Sequence, residues 1–133
     1  MLQKFFNFLS KEDDLEDFHQ MPTNQNAKFI LSVDKINIGH LICENGEWFF
    51  KYTNEFKNHA EEYKTIVGFP DLNKIYKSDA LWPFFQVRIP GLKQPAIREV
   101  IENEKIDKDD KVELLKRFGQ KTIANPYELV LSY

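Results

Sequence analysis

The chain has 133 residues, 42% of them hydrophobic and 29% charged, with a formal net charge of −3, the proportions of one soluble globular domain. An acidic balance excludes a protein whose main work is coating nucleic acid, and it supplies no polybasic membrane anchor. The single Cys43 excludes an internal disulfide, and no Cys-x-x-Cys pair exists for zinc or redox chemistry.

Residues 1–27 read as an extension. Leu2, Phe5, Phe6 and Leu9 recur at i, i+3, i+4 and i+7, which makes one helical face apolar. The acidic run Glu12, Asp13, Asp14, Glu16 and Asp17 reads as a solvated face, and Met21–Asn26 as a turn-rich linker. The pattern predicts an amphipathic helix that docks on the domain or on a partner. It is too short and too interrupted for a secretory signal, and no apolar run approaches membrane-spanning length, so a cytoplasmic protein is expected.

From residue 28 to 133 the pattern is that of a folded domain. Phe29, Leu31 and Val33 alternate with polar positions, Asp34-Lys35 interrupts, and Ile36, Ile38, His40 and Ile42 resume with period two. Asn45-Gly46 predicts a type I′ hairpin, because both residues tolerate positive φ, and Glu47–Thr53 supplies an aromatic third strand. A short helix is expected within Glu55–Tyr63, and a short strand over Thr65–Phe69. A helical turn follows at Ser78–Phe85, capped by Ser78 or Asp79, with Pro83 in its first turn. Pro95 opens a helix whose buried stripe is Ile97, Val100 and Ile101. Asp107 caps the next helix, which turns Val112, Leu115 and Phe118 inward and ends at Gly119. Asn125-Pro126 marks a turn, and Glu128–Tyr133 a terminal strand added to the sheet. The fold class is α+β: a small antiparallel sheet, an N-terminal meander plus a C-terminal strand, with helices packed on it.

Catalytic patterns are scarce. The five glycines are isolated, so no glycine-rich loop wraps a phosphate. His19, His40 and His59 lie in no metal-ligand spacing, and His40 reads as a hydrogen-bonded structural histidine within a strand. Cys43 has no adjacent base to activate it and reads as a buried thiol. Asp109-Asp110 are accounted for by the first turn of a helix, whose dipole favours acids. Neither enzymatic activity nor a cofactor is expected. The distinctive feature is aromatic: 12 Phe, 5 Tyr and 2 Trp, concentrated at Leu81-Trp82-Pro83-Phe84-Phe85. A short helix cannot turn all of these inward. Either all are nonetheless buried, or Trp82 or Phe84 protrudes as an anchor for a partner.

Several segments, in this order, carry a family resemblance. Ile38-Gly39-His40-Leu41, Asn45-Gly46 and Trp48-Phe49-Phe50-Lys51-Tyr52 resemble the opening strands of HipA-type proteins, bacterial serine/threonine kinases that act as toxins. Gly68-Phe69-Pro70-Asp71-Leu72, then Tyr76, Ser78, Leu81, Pro83-Phe84-Phe85 and Ile89-Pro90-Gly91, resemble that family's next segment. Val112-Glu113-Leu114-Leu115-Lys116-Arg117-Phe118-Gly119 resembles the helix closing its first N-terminal subdomain, and Glu128-Leu129-Val130-Leu131 the strand after it. The resemblance covers residues 28–133. Arg88-Ile89-Pro90 departs from the more usual Leu-Leu-Pro.

In HipA-type kinases the ATP-binding and catalytic parts follow this subdomain, whereas these 133 residues contain no His-Arg-Asp, no Asp-Phe-Gly and no phosphate loop. A detached first subdomain resembles the HipS family of tripartite toxin–antitoxin systems. The resemblance implies an antitoxin-type subunit that binds and inhibits a HipT-like kinase, joins a HipB-like DNA-binding protein in a ternary complex, and itself contacts neither nucleic acid nor membrane. The expected partner-binding residues are Leu81, Trp82, Phe84, Phe85 and Arg88. Two other readings fit the same residues: a split-kinase subunit that completes the kinase N-lobe without inhibiting it, and an unrelated adaptor whose partner meets the Leu2–Leu9 helix.

Overall fold

A computed structural model describes residues 26–59 and 61–132; the expected helix at Leu2–Leu9 and the acidic run lie outside the described residues. Strands β1 (Ala27–Val33), β2 (Ile36–Glu44) and β3 (Glu47–Tyr52) form the predicted meander. β1 begins one residue before the expected boundary, with Ala27 paired to Cys43. Both hairpins turn on two residues of positive φ, Asp34-Lys35 (50° and 67°) and Asn45-Gly46 (51° and 82°). That geometry matches the twist of the flanking strands.

Helix α1 (Asn54–Asn58) follows β3, capped by Thr53, whose hydroxyl accepts from the Phe56 amide at 3.0 Å. Strand β4 (Tyr76–Ser78) then pairs with β3, and helices α2 (Pro83–Gln86), α3 (Pro95–Glu104) and α4 (Lys111–Phe118) precede β5 (Glu128–Leu131). The sheet order is β4-β3-β2-β1-β5 with every pair antiparallel. The fold is therefore α+β, and the C-terminal strand does join the sheet, beside β1.

Period two puts Phe29, Leu31, Leu41, Trp48, Phe50 and Tyr52 on one face, and there they form the core with Phe56, Phe69, Phe85, Val112 and Leu115. The aromatic surplus is spent mostly here. The Phe50 ring meets Tyr52 edge-on at 5.2 Å and Phe69 at 4.5 Å, and Tyr52 stacks on Phe56 at 5.0 Å.

Four local expectations are corrected. Thr65–Phe69 is a turn rather than a strand: the Tyr52 hydroxyl takes the Ile66 amide (2.9 Å) and donates to the Phe69 carbonyl (2.6 Å), while Gly68 at φ +97° reverses the chain. The strand that reaches β3 is instead Tyr76–Ser78. α2 is capped by neither Ser78 nor Asp79 but begins after Trp82, whose ψ of 150° is the extended conformation that a following proline imposes. Ser78 instead accepts from the Ala80 amide in a local turn. On α3, Ile97, Val100 and Ile101 are only half-buried, and the helix has no fully buried residue. The cap of α4 is Asp110, which accepts from the Glu113 amide at 3.2 Å. Asp107 accepts from the Asp109 amide in the turn before, so the helix starts later than Asp107 implied. Asp109 and Asp110 thus lie ahead of the first turn, and α4 buries Val112, Leu114 and Leu115 while Phe118 is half-buried. Gly119 ends the helix as expected.

Candidate partner-binding site

The crowded segment at Leu81–Phe85 is sorted by the start of α2. Leu81 and Phe85 turn inward, Phe85 meeting Phe50 at 5.6 Å and Phe69 at 6.1 Å. Trp82 and Phe84 are half-buried. Trp82 stands edge-on to Phe69, 5.2 Å between centroids at 78°, and Phe84 packs at right angles to Phe85 (5.1 Å) and against Tyr127 (5.8 Å). Each ring has one side on the core and one side toward solvent.

Their open sides border an apolar groove of about 400 Å³. One wall is the turn Val67-Gly68-Phe69, the floor is Trp82, Pro83, Phe84 and Val87, and the other wall is Ala124-Asn125. Val67 is 90% exposed and Val87 54%, and Ile123 is fully exposed beside Ala124. Among the described residues no charged side chain lines the groove. Exposed valine and isoleucine gathered around half-open aromatic rings form a patch of the kind that recruits a protein partner.

Arg88 holds this site together rather than presenting itself to a partner; it is 3% exposed. One of its terminal nitrogens donates to the carbonyls of Gly119 (3.0 Å) and Gln120 (3.2 Å). The other donates to Asn125 Oδ1 (3.1 Å) and to the Tyr127 carbonyl (2.8 Å). No carboxylate balances the charge among these partners, and burial pushes the guanidinium down to about 10. Four oxygens spread over nine residues converge on one cation, so Arg88 clamps the 119–127 loop and sets the Ala124 wall.

A family model described as the HipA N-terminal domain matches residues 30–124, a span that contains both walls and the floor of the groove up to Ala124. The chain belongs to the HipA N-terminal domain family. A search of curated proteins finds no match.

Of the residues expected to bind a partner in this HipA N-terminal domain, Trp82 and Phe84 lie on the groove, Leu81 and Phe85 beneath it, and Arg88 behind its loop wall. Sequence reading missed Val67, Val87, Ile123 and Ala124. The one available signal was Val67-Gly68, where a glycine with positive φ turns its neighbour outward.

The other reactive groups of the HipA N-terminal domain are quiet. Cys43 lies beside a second cavity near Asp107, Asp109 and Asp110, and burial pushes its thiol up to about 11, so it stays protonated and weakly nucleophilic. Among the described residues no group of three or more His, Cys, Asp or Glu side chains is placed to hold a metal ion. Nor is any helix among them long and apolar enough to cross a membrane.

His40 departs from expectation. Its Nδ1 is shielded from water and has no hydrogen-bond partner among the described residues. Burial, reinforced by Lys28 and Lys51, pushes its pKa down from 6.5 to about 4. Between those values the unfolded chain binds a proton that the folded chain refuses, so His40 lends stability above pH 6.5 that is lost as the pH falls toward 4. Urea melts at pH 7 and pH 4.5 should show a smaller loss for His40→Gln than for the parent; equal losses would contradict this account.

Proposed function

We propose that this chain is an antitoxin-type subunit that binds a HipT-like serine/threonine kinase through the Val67–Trp82–Phe84–Val87 groove and restrains it. The observation that carries the reading is the groove itself: an uncharged apolar surface, walled by a clamped loop, on a HipA N-terminal domain. A kinase lacking its own first subdomain would expose a complementary apolar patch, and this chain would cover it in trans. Trp82 or Phe84 would then press against the mobile loop over ATP. Phosphoryl transfer depends almost wholly on positioning, so a small displacement of that loop is enough to slow it. The chain contributes binding and not catalysis, acts in the cytoplasm, and reaches DNA only through a HipB-like protein in a ternary complex.

The test adds the purified chain to its kinase and follows autophosphorylation. A fall is expected; a rise would mean that the chain completes the kinase lobe instead. Val67→Glu adds a control that leaves the fold alone, since Val67 is 90% exposed. Burying that carboxylate in an apolar interface should weaken the complex by about 2–4 kcal/mol, roughly 30- to 1,000-fold. An unchanged affinity would remove the groove from the interface.

A further inference from the structure

The groove between the Val67 turn and the Ala124 loop carries two polar side-chain groups in its lining, the Asn125 amide and the Trp82 indole N–H. Asn125 is half-buried, and its partners fix which way the amide faces. Arg88 Nη2 donates to Asn125 Oδ1 at 3.1 Å, and the Tyr127 backbone N–H donates to the same oxygen at 3.1 Å. Turned over, the amide would set its NH2 group against two donors, so the oxygen faces inward. The Nδ2 group is then left without a hydrogen-bond partner among the described residues. It is not shut away from water, since the unpartnered side-chain atoms that are shielded are His40 Nδ1 and Arg88 Nε. Trp82 Nε1 is in the same condition, unpartnered among the described residues and open to water. Both groups donate and neither accepts.

Both walls are held from inside the domain. Arg88, the residue after Val87 of the floor, ties down Asn125, and the Ala124 amide donates to Thr122 Oγ1 at 3.2 Å. Across the groove the Tyr52 hydroxyl bonds both ends of the turn Ile66–Phe69, and the Phe69 amide donates to the Ile66 carbonyl at 2.9 Å. Groups fixed before a partner arrives lose little freedom on binding. We propose that the groove takes a neutral stretch of partner backbone, with one apolar side chain laid on Trp82, Phe84 and Val87 and the adjoining carbonyl oxygen accepting from Asn125 Nδ2. This rests on the reading of the groove as a partner-binding surface and names the chemistry of its occupant. Complementarity selects that occupant. Among the described residues the lining holds no charge, so a buried carboxylate or ammonium would have no counter-ion there. The wall offers N–H groups and no free side-chain acceptor, and every peptide unit brings a carbonyl beside its side chain. Asn125 is then a specificity-determining residue: it favours a segment that brings a carbonyl over one that brings only hydrocarbon.

NMR titration of the full chain with N-acetyl-leucine-N′-methylamide, a neutral peptide unit, tests this without any kinase. The probe should shift the Val67 and Val87 methyls and move an Asn125 side-chain amide proton downfield. Asn125→Asp keeps an oxygen for Arg88 and the Tyr127 amide but replaces the donor with a second acceptor. It should melt no lower than the parent, and its affinity for the probe should fall about tenfold or more at a temperature where both are folded. N-acetyl-leucine, which ends in a free carboxylate, should bind the parent more weakly than the neutral probe. Equal affinity of the parent and Asn125→Asp would overturn the assignment. So would an Asn125 amide signal that stays in place, tighter binding of the carboxylate, or no methyl shift at all. If the probe fails while Val67→Glu still weakens the kinase complex, the occupant is wrongly assigned and the docking reading stands. If the probe behaves as expected while Val67→Glu leaves the kinase unaffected, the kinase reading fails and the groove's chemistry stands.

Discussion

An Arg88→Met protein should melt roughly 10 °C below the parent, because about 3 kcal/mol of stability is lost from a domain of this size. Methionine fills much the same volume, so the effect is one of hydrogen bonding rather than of a cavity. Four acceptors lose their donor together: the carbonyls of Gly119, Gln120 and Tyr127 and the Asn125 side chain. Four bonds to a charged group would total about 6 kcal/mol, and release of the cation from burial returns part of that. Arg88→Lys should recover less than half, since an ammonium is a point donor and cannot span oxygens on both sides of the loop. Arg88→Met should also loosen the Ala124 wall and therefore, on the proposed function, weaken binding to the proposed kinase partner even at temperatures where the domain is folded. Melting within about 2 °C of the parent would show that the clamp is dispensable.

On the proposed function, Trp82→Ala should weaken binding to the proposed kinase partner by about 2–4 kcal/mol, roughly 30- to 1,000-fold in affinity. The cost to the fold should be smaller, about 2 kcal/mol, because one side of the ring already faces the groove and its lost ring contacts are those with Phe69 and Phe85. Phe84→Ala is the companion variant, since Phe84 packs on Phe85 and Tyr127 rather than on Phe69. Thermal melting and kinase affinity measured on the same preparation separate anchor from packing. A Trp82→Ala protein that melts far lower while its folded fraction binds normally would leave Trp82 as a structural residue only.

The three meander strands and β5 were legible because period two and turn chemistry are local, whereas the three-residue β4 at Tyr76–Ser78 is too short to show a period and was missed. Asn45-Gly46 announces its own hairpin, but the irregular pairing around Ile38 breaks the expected Ile36, Ile38, His40, Ile42 alternation, so that Leu41 and Cys43 join Ile38 in the core while His40 and Ile42 lie on the other face. Helix ends were less legible, since several residues compete for the same cap. Ser78, Asp79 and Asp107 are all good caps by type. Yet Pro83 forces Trp82 extended, and the turn at Asp107–Asp110 hands the cap to Asp110.

The amino-acid sequence by itself determined the fold class, the meander, the added C-terminal strand and the family, because each rests on patterns of a few neighbouring residues kept in order. It also marked Leu81–Phe85 as too aromatic for one face. Only the tertiary structure decided which of those rings stayed open. Phe85 went to the core because Phe50 and Phe69, distant in the chain, meet it there. Val67, Val87 and Ala124 converge from three separate segments to make the groove. Arg88 was drawn inward by oxygens on residues 119–127, more than thirty positions away. Surfaces and clamps of this kind depend on long-range contacts, and no local periodicity encodes those.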